Sequence, residues 1–495
     1  MKRFLFASAM LMAGVATHAQ EDLNTAADAV RYSMDNITGT ARFRAMGGAF
    51  GALGGDISSI MVNPAGSSIY SYNSGTVSVS SYNINNKSNY FGSRNTQNDN
   101  AFDLNQVGAA FVFNNANEDA FMNKFTLAFD YENTNSFENN IFAAGINPTN
   151  SIDNYFLHYA NGFNGLGAIN LSTLDNAYYE DLNFIDQQAF LGYNAYVFDP
   201  NPDPNGPAYI SNNSSSGNRY QESSINTSGY NGKIAVNFSA LLNDRVYVGA
   251  NLNGHFTDYI KTTRFYEDDN GTGGEGVQYL QFNNERYTYG GGFSFNLGAI
   301  VKITEQFRAG LAYESPTWYK LTDEVTQSIY SNLGSFNPSM TFVLDDYTIK
   351  TPSKYTGSLA YVFGKRGLIS IDYALKDYST TEFKSNRYNS INNELSNTLD
   401  NAGELRVGTE WRINNFSLRG GYRHEQSPYK NGTTVGDLNS FSGGFGIAFG
   451  SSKLDFAYTW YQRKSDVSLL TPGLVDAARV TSTNNNVTIS YTHDL

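Results

Sequence analysis

The chain of 495 residues contains no cysteine. This absence excludes a disulfide framework, a thiolate metal site and a cysteine nucleophile together. The chain also has no window of about 18 apolar residues, which excludes a helical membrane protein. Spanning strands pass that test, because a barrel strand shows only every second residue to lipid, and a mean hydropathy of -0.40 is compatible with insertion.

Positive charge and tryptophan are both scarce. The chain has 33 Lys and Arg against 46 Asp and Glu, with a formal net charge of -13. The lack of basic runs argues against a nucleic-acid partner, because the phosphate backbone demands clustered Lys and Arg. Sugar, lipid and protein partners stay open. Only 3 Trp accompany 35 Tyr and 34 Phe, and barrel proteins place such rings in girdles at the two membrane interfaces.

The first twenty residues carry the pattern of a secretory signal peptide. After a basic start, an apolar run from Phe4 to Val15 leads to small residues at Thr17 and Ala19. The pattern predicts a signal peptide over residues 1–19, with cleavage before Gln20. A membrane anchor is the alternative, but this run is shorter than the roughly 20 residues that a spanning helix needs.

Alternating apolar and polar residues begin after Ser74 and predict about fourteen strands, an even number as single-chain bacterial barrels require. The predicted strands run from GTVSVSSYNI at Gly75 to the closing NVTISYTHDL. Their connections alternate between tight turns and long stretches rich in Asn and Ser. Tight turns are expected at 241–245, 302–306, 364–367, 413–415 and 450–452, and long connections at 266–276, 327–352, 384–401, 425–439 and 464–485.

Sorting of short turns to one side and long loops to the other is typical of an outer-membrane barrel. A soluble sandwich or propeller also has alternating strands, but it has no reason to sort its loops by side. We therefore predict an all-β fold, a transmembrane antiparallel β-barrel over residues 75–495. Its longest non-periodic stretch, at about 132–220, is expected to form a long extracellular loop.

The faces of two strands can be assigned from their alternation. In GELRVGTEWRI, the charged side chains of Glu404, Arg406, Glu410 and Arg412 share one face. Charges are costly in lipid, so this face is predicted to line the lumen and to pair across strands. The same reasoning turns Asp455 inward on the strand KLDFAYTW. A selectivity filter is the alternative function of these charges, and structural pairing is favoured over it.

Residues 20–74 precede the first strand and are too rich in glycine for a stable isolated domain. The glycines that let this backbone turn sharply and approach its neighbours are Gly47, Gly48, Gly51, Gly54 and Gly55. Asp56 is expected to cap a short helix, ISSIMV, which Asn63 and Pro64 end. Such a segment suits the inside of a barrel, where the wall can satisfy its polar groups.

The stretch GDISSIMVNPAGSSIY resembles the N-terminal hatch of the FadL/OmpP1/TodX family of outer-membrane transporters for hydrophobic compounds. Asn63, Pro64 and Ala65 match the Asn-Pro-Ala motif that the family carries before its first strand. The resemblance implies a fourteen-stranded barrel, an N-terminal hatch (plug) in the lumen and a long, partly helical third outer loop. The segment SIDNYFLHYANGF is the predicted helix of that loop.

The resemblance also implies a function, namely passive uptake of hydrophobic small molecules, such as long-chain fatty acids, through the outer membrane of a Gram-negative cell. A surface partner in protein secretion or attachment is the alternative, and the plug disfavours a water-filled porin. The family's third strand is kinked to open the wall sideways. Here KFTLAFDY contains neither Gly nor Pro, so its own residues do not predict a kink.

Apolar side chains of the hatch and of the long loop are the candidate ligand-binding residues. In the hatch they are Phe50, Leu53, Ile57, Ile60 and Met61; in the loop they are Phe156, Tyr159, Phe163, Tyr178, Tyr179, Phe184 and Phe190. Packing of a large loop explains the aromatic residues equally well.

No residue pattern indicates catalysis, a cofactor or a bound metal. His158, His255, His424 and His493 lack metal-ligand spacing, and no nucleophile elbow is present. The acidic stretches DPNPDPNGP and EDDNGTGGEG lack the closing Glu of a calcium loop, so solvated loops are favoured over calcium sites. We expect neither an enzyme nor a cofactor, and we expect a hydrophobic ligand and membrane lipid as partners.

Overall fold

The computed structural model describes residues 24–117, 120–163, 165–213, 217–273 and 275–495. The predicted signal peptide, residues 1–19, lies outside the described residues. Within the described ranges, no helix combines the length and the apolar character needed to cross a membrane.

Residues 24–73, which we call the hatch, are short helices joined by turns. They comprise α1 (Ala26–Ser33), α2 (Ala41–Ala45) and two 3-10 helices (Ile57–Met61 and Pro64–Ile69). The Asp56 carboxylate accepts a hydrogen bond from the Ser58 N–H at 3.1 Å and so caps the first 3-10 helix. The predicted cap is confirmed, although the helix is 3-10 rather than α.

The rest of the chain is mostly strand, and all but two of the strands belong to one antiparallel sheet. The first eleven strands are β1 (Ser74–Tyr90), β2 (Ser93–Asn114), β3 (Met122–Ser136), β4 (Asn139–Asn147), β5 (Phe198–Pro200), β6 (Tyr209–Ser211), β7 (Arg219–Leu242), β8 (Val246–Asp268), β9 (Tyr279–Lys302), β10 (Phe307–Glu314) and β11 (Trp318–Ser331). The remaining strands are β12 (Ser335–Phe336), β13 (Thr341–Val343), β14 (Tyr347–Lys350), β15 (Lys354–Val362), β16 (Gly367–Asp377), β17 (Glu382–Lys384), β18 (Asn401–Ile413), β19 (Phe416–Glu425), β20 (Val435–Phe449), β21 (Ser452–Leu470) and β22 (Leu474–Asp494). The helices after the hatch are α3 (Asp153–Asn161), α4 (Leu171–Asn176), α5 (Phe184–Asn194) and α6 (Asn389–Thr398).

The sheet closes into a barrel because its first and last strands pair. The β1–β22 ladder runs from Ser74 opposite Asp494 to Asn89 opposite Arg479. Some consecutive strands lie end to end and together form one strand of the barrel wall, which we call a stave. For example, β3 and β4 form one stave, because both pair with β7. Counted by staves, the closed barrel has 14 strands, which confirms the predicted fold class.

Connections are sorted by side as predicted. At one end, which we call the short-turn end, β7–β8, β9–β10, β15–β16, β18–β19 and β20–β21 are joined by tight turns. The other, long-loop end carries the longest connection, residues 148–218, with α3 inside the segment predicted to be helical. The long loop was expected to be the third outer loop, and this is wrong. It follows the third stave and is the second connection at the long-loop end.

One predicted long connection is instead a hairpin, because 464–485 is mostly strand on either side of a turn at 471–473. The first strand also runs further than predicted, since the Asn-rich end of β1 pairs with β2 up to a turn at Phe91 and Gly92. Cross-strand side-chain amides stabilise the β1–β2 hairpin, for example Asn83 donating to Asn100 at 2.8 Å. The ends of the β1–β2 and β21–β22 hairpins are polar on both faces, as expected for strands that extend beyond the lipid, so their composition resembles that of a loop.

The predicted strand faces are confirmed. Glu410 and Asp455 are buried on the lumen side, whereas Trp411 and Tyr458 are exposed on the outer side. Structural pairing of the inward charges across strands is also confirmed: Arg423 of β19 contacts Glu404 of β18 at 2.5 Å, and Arg419 of β19 contacts Glu410 of β18 at 2.8 Å.

Candidate functional site

The Asn-Pro-Ala motif anchors the hatch to the barrel wall near the short-turn end. The Asn63 side-chain amide donates to the Gly51 carbonyl at 2.7 Å and to the Ala299 carbonyl of β9 at 3.0 Å. Its oxygen accepts from the Ala65 N–H at 3.1 Å and caps the second 3-10 helix, where proline is favoured in the first turn. The motif therefore joins two parts of the hatch to one wall strand.

Glycines of the wall strands make room for the hatch backbone. A Cβ at Gly249 would lie 2.4 Å from the Pro64 carbonyl carbon, and one at Gly298 would lie 2.0 Å from the Asn63 side-chain oxygen. The same close approach recurs around the bore at Gly108, Gly310, Gly408 and Gly421, which face Ile57, Gly51, Met46 and Gly47. Glycine inside a strand often marks such a backbone approach.

The five hatch glycines predicted to allow sharp turns serve two purposes. Gly47, Gly48, Gly54 and Gly55 have φ between +61° and +73°, a region that other residues rarely adopt. Gly51 has no such φ, but a Cβ there would lie 2.1 Å from the Ser358 hydroxyl oxygen.

Ion pairs fasten the hatch helices to the inner wall. Arg42 of α2 contacts the buried Glu410 at 2.8 Å, and Arg412 and Arg419 contact the same carboxylate at 2.8 Å each. On α1, Asp28 contacts Arg286 of β9 at 3.0 Å. These contacts join residues hundreds of positions apart in sequence, so they depend on the tertiary structure of the barrel.

Asp35, in the hatch between α1 and α2, meets two wall lysines. Its carboxylate lies 2.8 Å from both Lys354 and Lys376. The side chain is half exposed, but it lies inside the barrel, where desolvation by itself raises a carboxyl pKa. Lys354 and Lys376 outweigh that effect and hold the pKa of the Asp35 carboxyl well below its ordinary range.

The candidate ligand-binding residues of the hatch mostly pack against the wall in this conformation. Phe50 and Leu53 pack with Ala360 and Leu368, while Ile57 and Ile60 pack with small residues of β2, β3 and β7. Met61 lines a small cavity of about 70 Å³, which Asp35 and Lys354 also line. Ligand contact by the hatch residues stays a prediction.

The barrel wall is interrupted beside the third stave. Pairing between β2 and β3 stops at Gln106 opposite Glu132, and the stave breaks between Ser136 and Asn139 before resuming as β4. Lumen-facing Asn86 of β1 donates to the Asn140 carbonyl at 2.7 Å. Because β2 stands between β1 and the third stave in the sheet, β4 must have turned inward behind β2.

The interruption, which we call the wall break, has a polar inner side and an apolar outer rim. Asn133 donates to the Asp103 carboxylate at 2.5 Å, and this side-chain contact links β3 to β2 beyond their last backbone pair. On the outer face, Phe102 and Leu104 of β2 are 74% and 48% exposed. Tyr131 of β3 stacks on Phe256 with ring centroids 6.1 Å apart.

A cavity of about 170 Å³ lies between the hatch and the wall break. Residues from the hatch (Asn36, Ile37, Thr38, Arg44, Gly47), the break (Ser136, Glu138, Asn139) and the wall (Tyr82, Ile84, Arg423, Ser440, Thr459, Tyr461, Ser482, Asn484, Asn486) line it. Most of these side chains are polar, and the aromatic rings and isoleucines form apolar patches among them.

The long-loop end carries a packed apolar cluster, which we call the outer cap. It contains the predicted residues Phe156, Tyr159, Tyr179 and Phe190, all buried, together with Phe282 of β9. Phe163 packs at its edge, Phe184 lies 6.5 Å from Tyr159 between ring centroids, and Tyr178 is 71% exposed. The rings fill this space with each other, so in this conformation their contacts are packing contacts.

Sequence reasoning did not find the cavity residues. Arg44, Arg423 and Tyr461 belong to parts of the chain far apart in sequence and are brought together only by the closed barrel. One feature of the sequence pointed to Arg44. The hatch stretch ARFRA contains basic residues, and these must be buried if the hatch fills the lumen.

Comparison with known proteins supports this architecture. No curated protein sequence matches the chain. The structure is similar to that of a Pseudomonas aeruginosa FadL homologue, with a TM-score of 0.54 at 15% identity over 93% of this chain and 99% of the other. It is also similar to the Pseudomonas putida toluene transporter TodX, with a TM-score of 0.51 at 14% identity over 94% and 100%. At such low identity these likenesses show the fold.

The family model for outer membrane transport proteins (OMPP1/FadL/TodX) matches residues 212–492, more than half of the chain. The matched range begins after the hatch, so the Asn-Pro-Ala motif is an addition to this match and not a part of it. The barrel, its sorted connections and this match together show an outer-membrane β-barrel. The chain therefore belongs to the OMPP1/FadL/TodX family of outer membrane transport proteins.

Proposed function

We propose that this protein takes up a hydrophobic small molecule, a long-chain fatty acid or a similar apolar compound, by passive diffusion. The observation that carries the proposal is a bore filled by the hatch next to an interrupted wall. A solute that has passed the outer cap meets buried hatch residues along the barrel axis. The wall break leads instead from the cavity toward the lipid-facing side.

Capture begins at the outer cap, with the long-loop end facing the cell exterior. Burying each methylene of a ligand among these rings is worth about 0.8 kcal/mol, so a long chain binds there without a charge pair. The rings now contact one another, so a ligand must displace some of them. Loop movement at the cap is therefore part of the proposed pathway.

The cavity size sets what can rest beside the hatch. A cavity of about 150 Å³ suffices for a benzene molecule, and the cavity here measures about 170 Å³. A single-ring compound fits whole, like the toluene named for TodX, whereas a long chain must extend through the wall break. Because most of the lining side chains are polar, we assign this cavity as a passage for the apolar compound and not as a site where it accumulates.

Uptake by cells that lack a transporter of this family tests the proposal. We expect the protein to raise uptake of radiolabelled oleate or toluene but not of sucrose. Deleting Gly47 to Ala65 removes the anchor and most glycine turns, and we expect it to abolish this selectivity. The folded state of each barrel is checked by its heat-dependent mobility on gels.

The same purified protein separates the alternative functions. Apolar compounds recovered from it support transport. Polypeptides that co-purify, without any gain in apolar uptake, support a surface partner in secretion or attachment. Ion conductance without apolar uptake supports a porin. Uptake that is unchanged by the deletion would remove the hatch from the mechanism.

A further inference from the structure

Four basic side chains lie close together on the outer surface of the barrel wall, toward the long-loop end. They are Lys464 of β21, Arg479 of β22, Lys87 of β1 and Arg94 of β2, and we call them the basic patch. All four are exposed, whereas Asn86 and Ser88, on either side of Lys87, are buried on the lumen side. The patch therefore faces away from the hatch and its cavities.

The pairing register places these four side chains in two neighbouring rows. In the first row, Thr481 of β22 lies between Lys464 and Lys87 and pairs with both. In the second row, two residues further out, Asn89 of β1 lies between the two arginines and pairs with both. Adjacent strands are about 4.8 Å apart, so the two basic residues of each row are about 10 Å apart and the rows about 7 Å apart.

Acidic side chains are few around the basic patch. Asp466 contacts Arg479 at 2.7 Å, and Asp437 of β20 lies in a bulge opposite Lys464. Within the ranges that the structure describes, no carboxylate oxygen lies within 4.0 Å of the other three basic side chains. The chain as a whole has 46 acidic against 33 basic residues, so the excess of positive charge here is local.

The outer surface of β8, β9 and β11 carries the opposite charge. Asp258, Glu285 and Glu324 face outward on these strands, with Arg264 diagonal to Glu285. Both surfaces belong to the same extended wall, so extension beyond the lipid does not by itself explain a basic surface. Positive and negative charges are sorted to different sides of the barrel.

The height of the basic patch above the lipid indicates what it meets. Trp460 of β21 and Phe441 of β20 lie on the outer surface with ring centroids 6.0 Å apart, and such rings mark the membrane interface. Lys464 follows four residues further along β21, about 13 Å along the strand and about 10 Å above the rings once the strand tilt is included. This is the level of lipid headgroups and not of acyl chains.

We infer that the basic patch binds the headgroup of lipopolysaccharide, the glycolipid of the outer leaflet whose inner sugars carry phosphate and carboxylate groups. Lys and Arg form charge-assisted hydrogen bonds with such oxygens, and clustered basic side chains next to a membrane attract anionic lipids. Thr481 and Asn89, between the cations, offer hydrogen bonds to sugar hydroxyls. The occupant is a membrane lipid because the patch continues the lipid-facing surface directly above its aromatic rings. The inference does not depend on the proposed uptake function.

The test measures binding of three lipids to the purified protein in dodecyl maltoside by native mass spectrometry. They are deep-rough lipopolysaccharide, which keeps lipid A and the acidic inner-core sugars, phosphatidylglycerol and phosphatidylethanolamine. Each basic side chain near an anionic surface is worth about fivefold in affinity. We therefore expect the double variant Lys87→Gln with Lys464→Gln to weaken lipopolysaccharide binding about 25-fold, and to leave phosphatidylethanolamine binding within about twofold.

Arg264→Gln is the matched control, because it removes an exposed arginine from the acidic side of the wall. It should change lipopolysaccharide binding less than about twofold, since this arginine lies outside the patch. Equal binding of lipopolysaccharide by the wild type and the double variant, or an equal loss in Arg264→Gln, would overturn the inference. Phosphatidylglycerol bound as tightly as lipopolysaccharide would also overturn it, because the patch would then recognise any anionic lipid.

Two further measurements keep the result decisive. If the double variant does not fold, Lys87→Gln and Lys464→Gln decide singly, each with an expected loss of about fivefold. Oleate uptake by cells that express the wild type tests the proposed function separately. Failure of uptake leaves the lipid-binding result unaffected, and loss of lipid binding leaves uptake to be judged by its own assay.

Discussion

At the scale of single residues, the fit between hatch and wall depends on side chains that are missing. The hatch lies so close to β8 and β9 that Gly249 and Gly298 have no room for a Cβ, beside the Pro64 backbone and the Asn63 side chain respectively. Strand β8 also contains Gly254, where a Cβ would meet nothing within 4 Å. Comparing substitutions at Gly249 and Gly254 therefore distinguishes the steric effect of contact with the hatch from the general effect of replacing a glycine within a strand.

Gly249→Ala should loosen the hatch, because the added methyl group collides with the Pro64 carbonyl and the Ala65 N–H. Overpacking of this kind costs about 1–3 kcal/mol. We expect faster hydrogen exchange of the 57–69 amides, measured by mass spectrometry in nanodiscs. Gly254→Ala is the matched control and should leave that exchange unchanged; equal exchange in both variants would refute the steric argument.

Local residue roles were predictable, whereas distant ones were not. The cap at Asp56 follows from neighbouring residues, because caps act over two or three residues. The hydrogen bonds of Asn63 to Gly51 and to Ala299 of β9 do not follow from them. The pairing of Arg42 with Glu410 and the exposure of Arg44 to the cavity depend on strand register around the whole barrel. No local pattern encodes that register for a side chain of the hatch.

At the scale of elements, the third stave, formed by β3 and β4, contains a break that the alternation of apolar and polar residues does not predict. KFTLAFDY alternates regularly and contains no Gly or Pro, and it lies within β3. The break comes later, at Phe137 and Glu138, after a register shift between Asn133 and Asn135 of β3. Gly229 of β7, with φ of +104°, lies opposite the break and accepts from the Phe137 N–H at 2.9 Å, so the glycine at this irregularity is in the neighbouring strand and not in KFTLAFDY.

An ion pair joins α2 of the hatch to β18 of the wall, where Glu410 contacts three arginines. In Glu410→Gln the buried Arg42 keeps only the more distant Asp56, at 3.9 Å, whereas Arg419 keeps Asp455 at 2.6 Å and Arg412 is half exposed. Removing one partner of a buried ion pair costs about 3–5 kcal/mol. We expect that loss in the free energy of unfolding, measured by urea titration of the protein folded into lipid vesicles.

Glu382→Gln is the control for that measurement, since Glu382 pairs with Lys384 on the surface, where both side chains are more than 40% exposed. Surface pairs contribute about 0–1 kcal/mol. Similar losses in the two variants would show that Glu410 does not hold the hatch in place.

At the scale of the whole molecule, the barrel follows from two features of the sequence, namely period-two alternation and connections sorted by length. Both features hold despite errors in detail, such as the predicted loop at 464–485 that is a hairpin, because closure depends on strand number and pairing order. Neither the alternation nor the lengths of the connections predict the wall break. It is a local departure from regular strand pairing, and the proposed function uses it as the route from the filled bore to the lipid.

Bridging that break reversibly tests the central claim, sideways passage from a plugged barrel, most directly. The chain has no cysteine of its own, so a short bis-methanethiosulfonate cross-linker reacts only with introduced cysteines, forming a reducible disulfide at each end with loss of methanesulfinate. We introduce Asp103→Cys together with Asn133→Cys, at positions whose side chains already meet. The control pair, Val112→Cys with Thr126→Cys, lies within the intact β2–β3 ladder. We predict that bridging the break reduces oleate or toluene uptake to the level of cells without the protein, that reduction restores it, and that the control pair has no effect; full uptake with the break bridged would contradict the account.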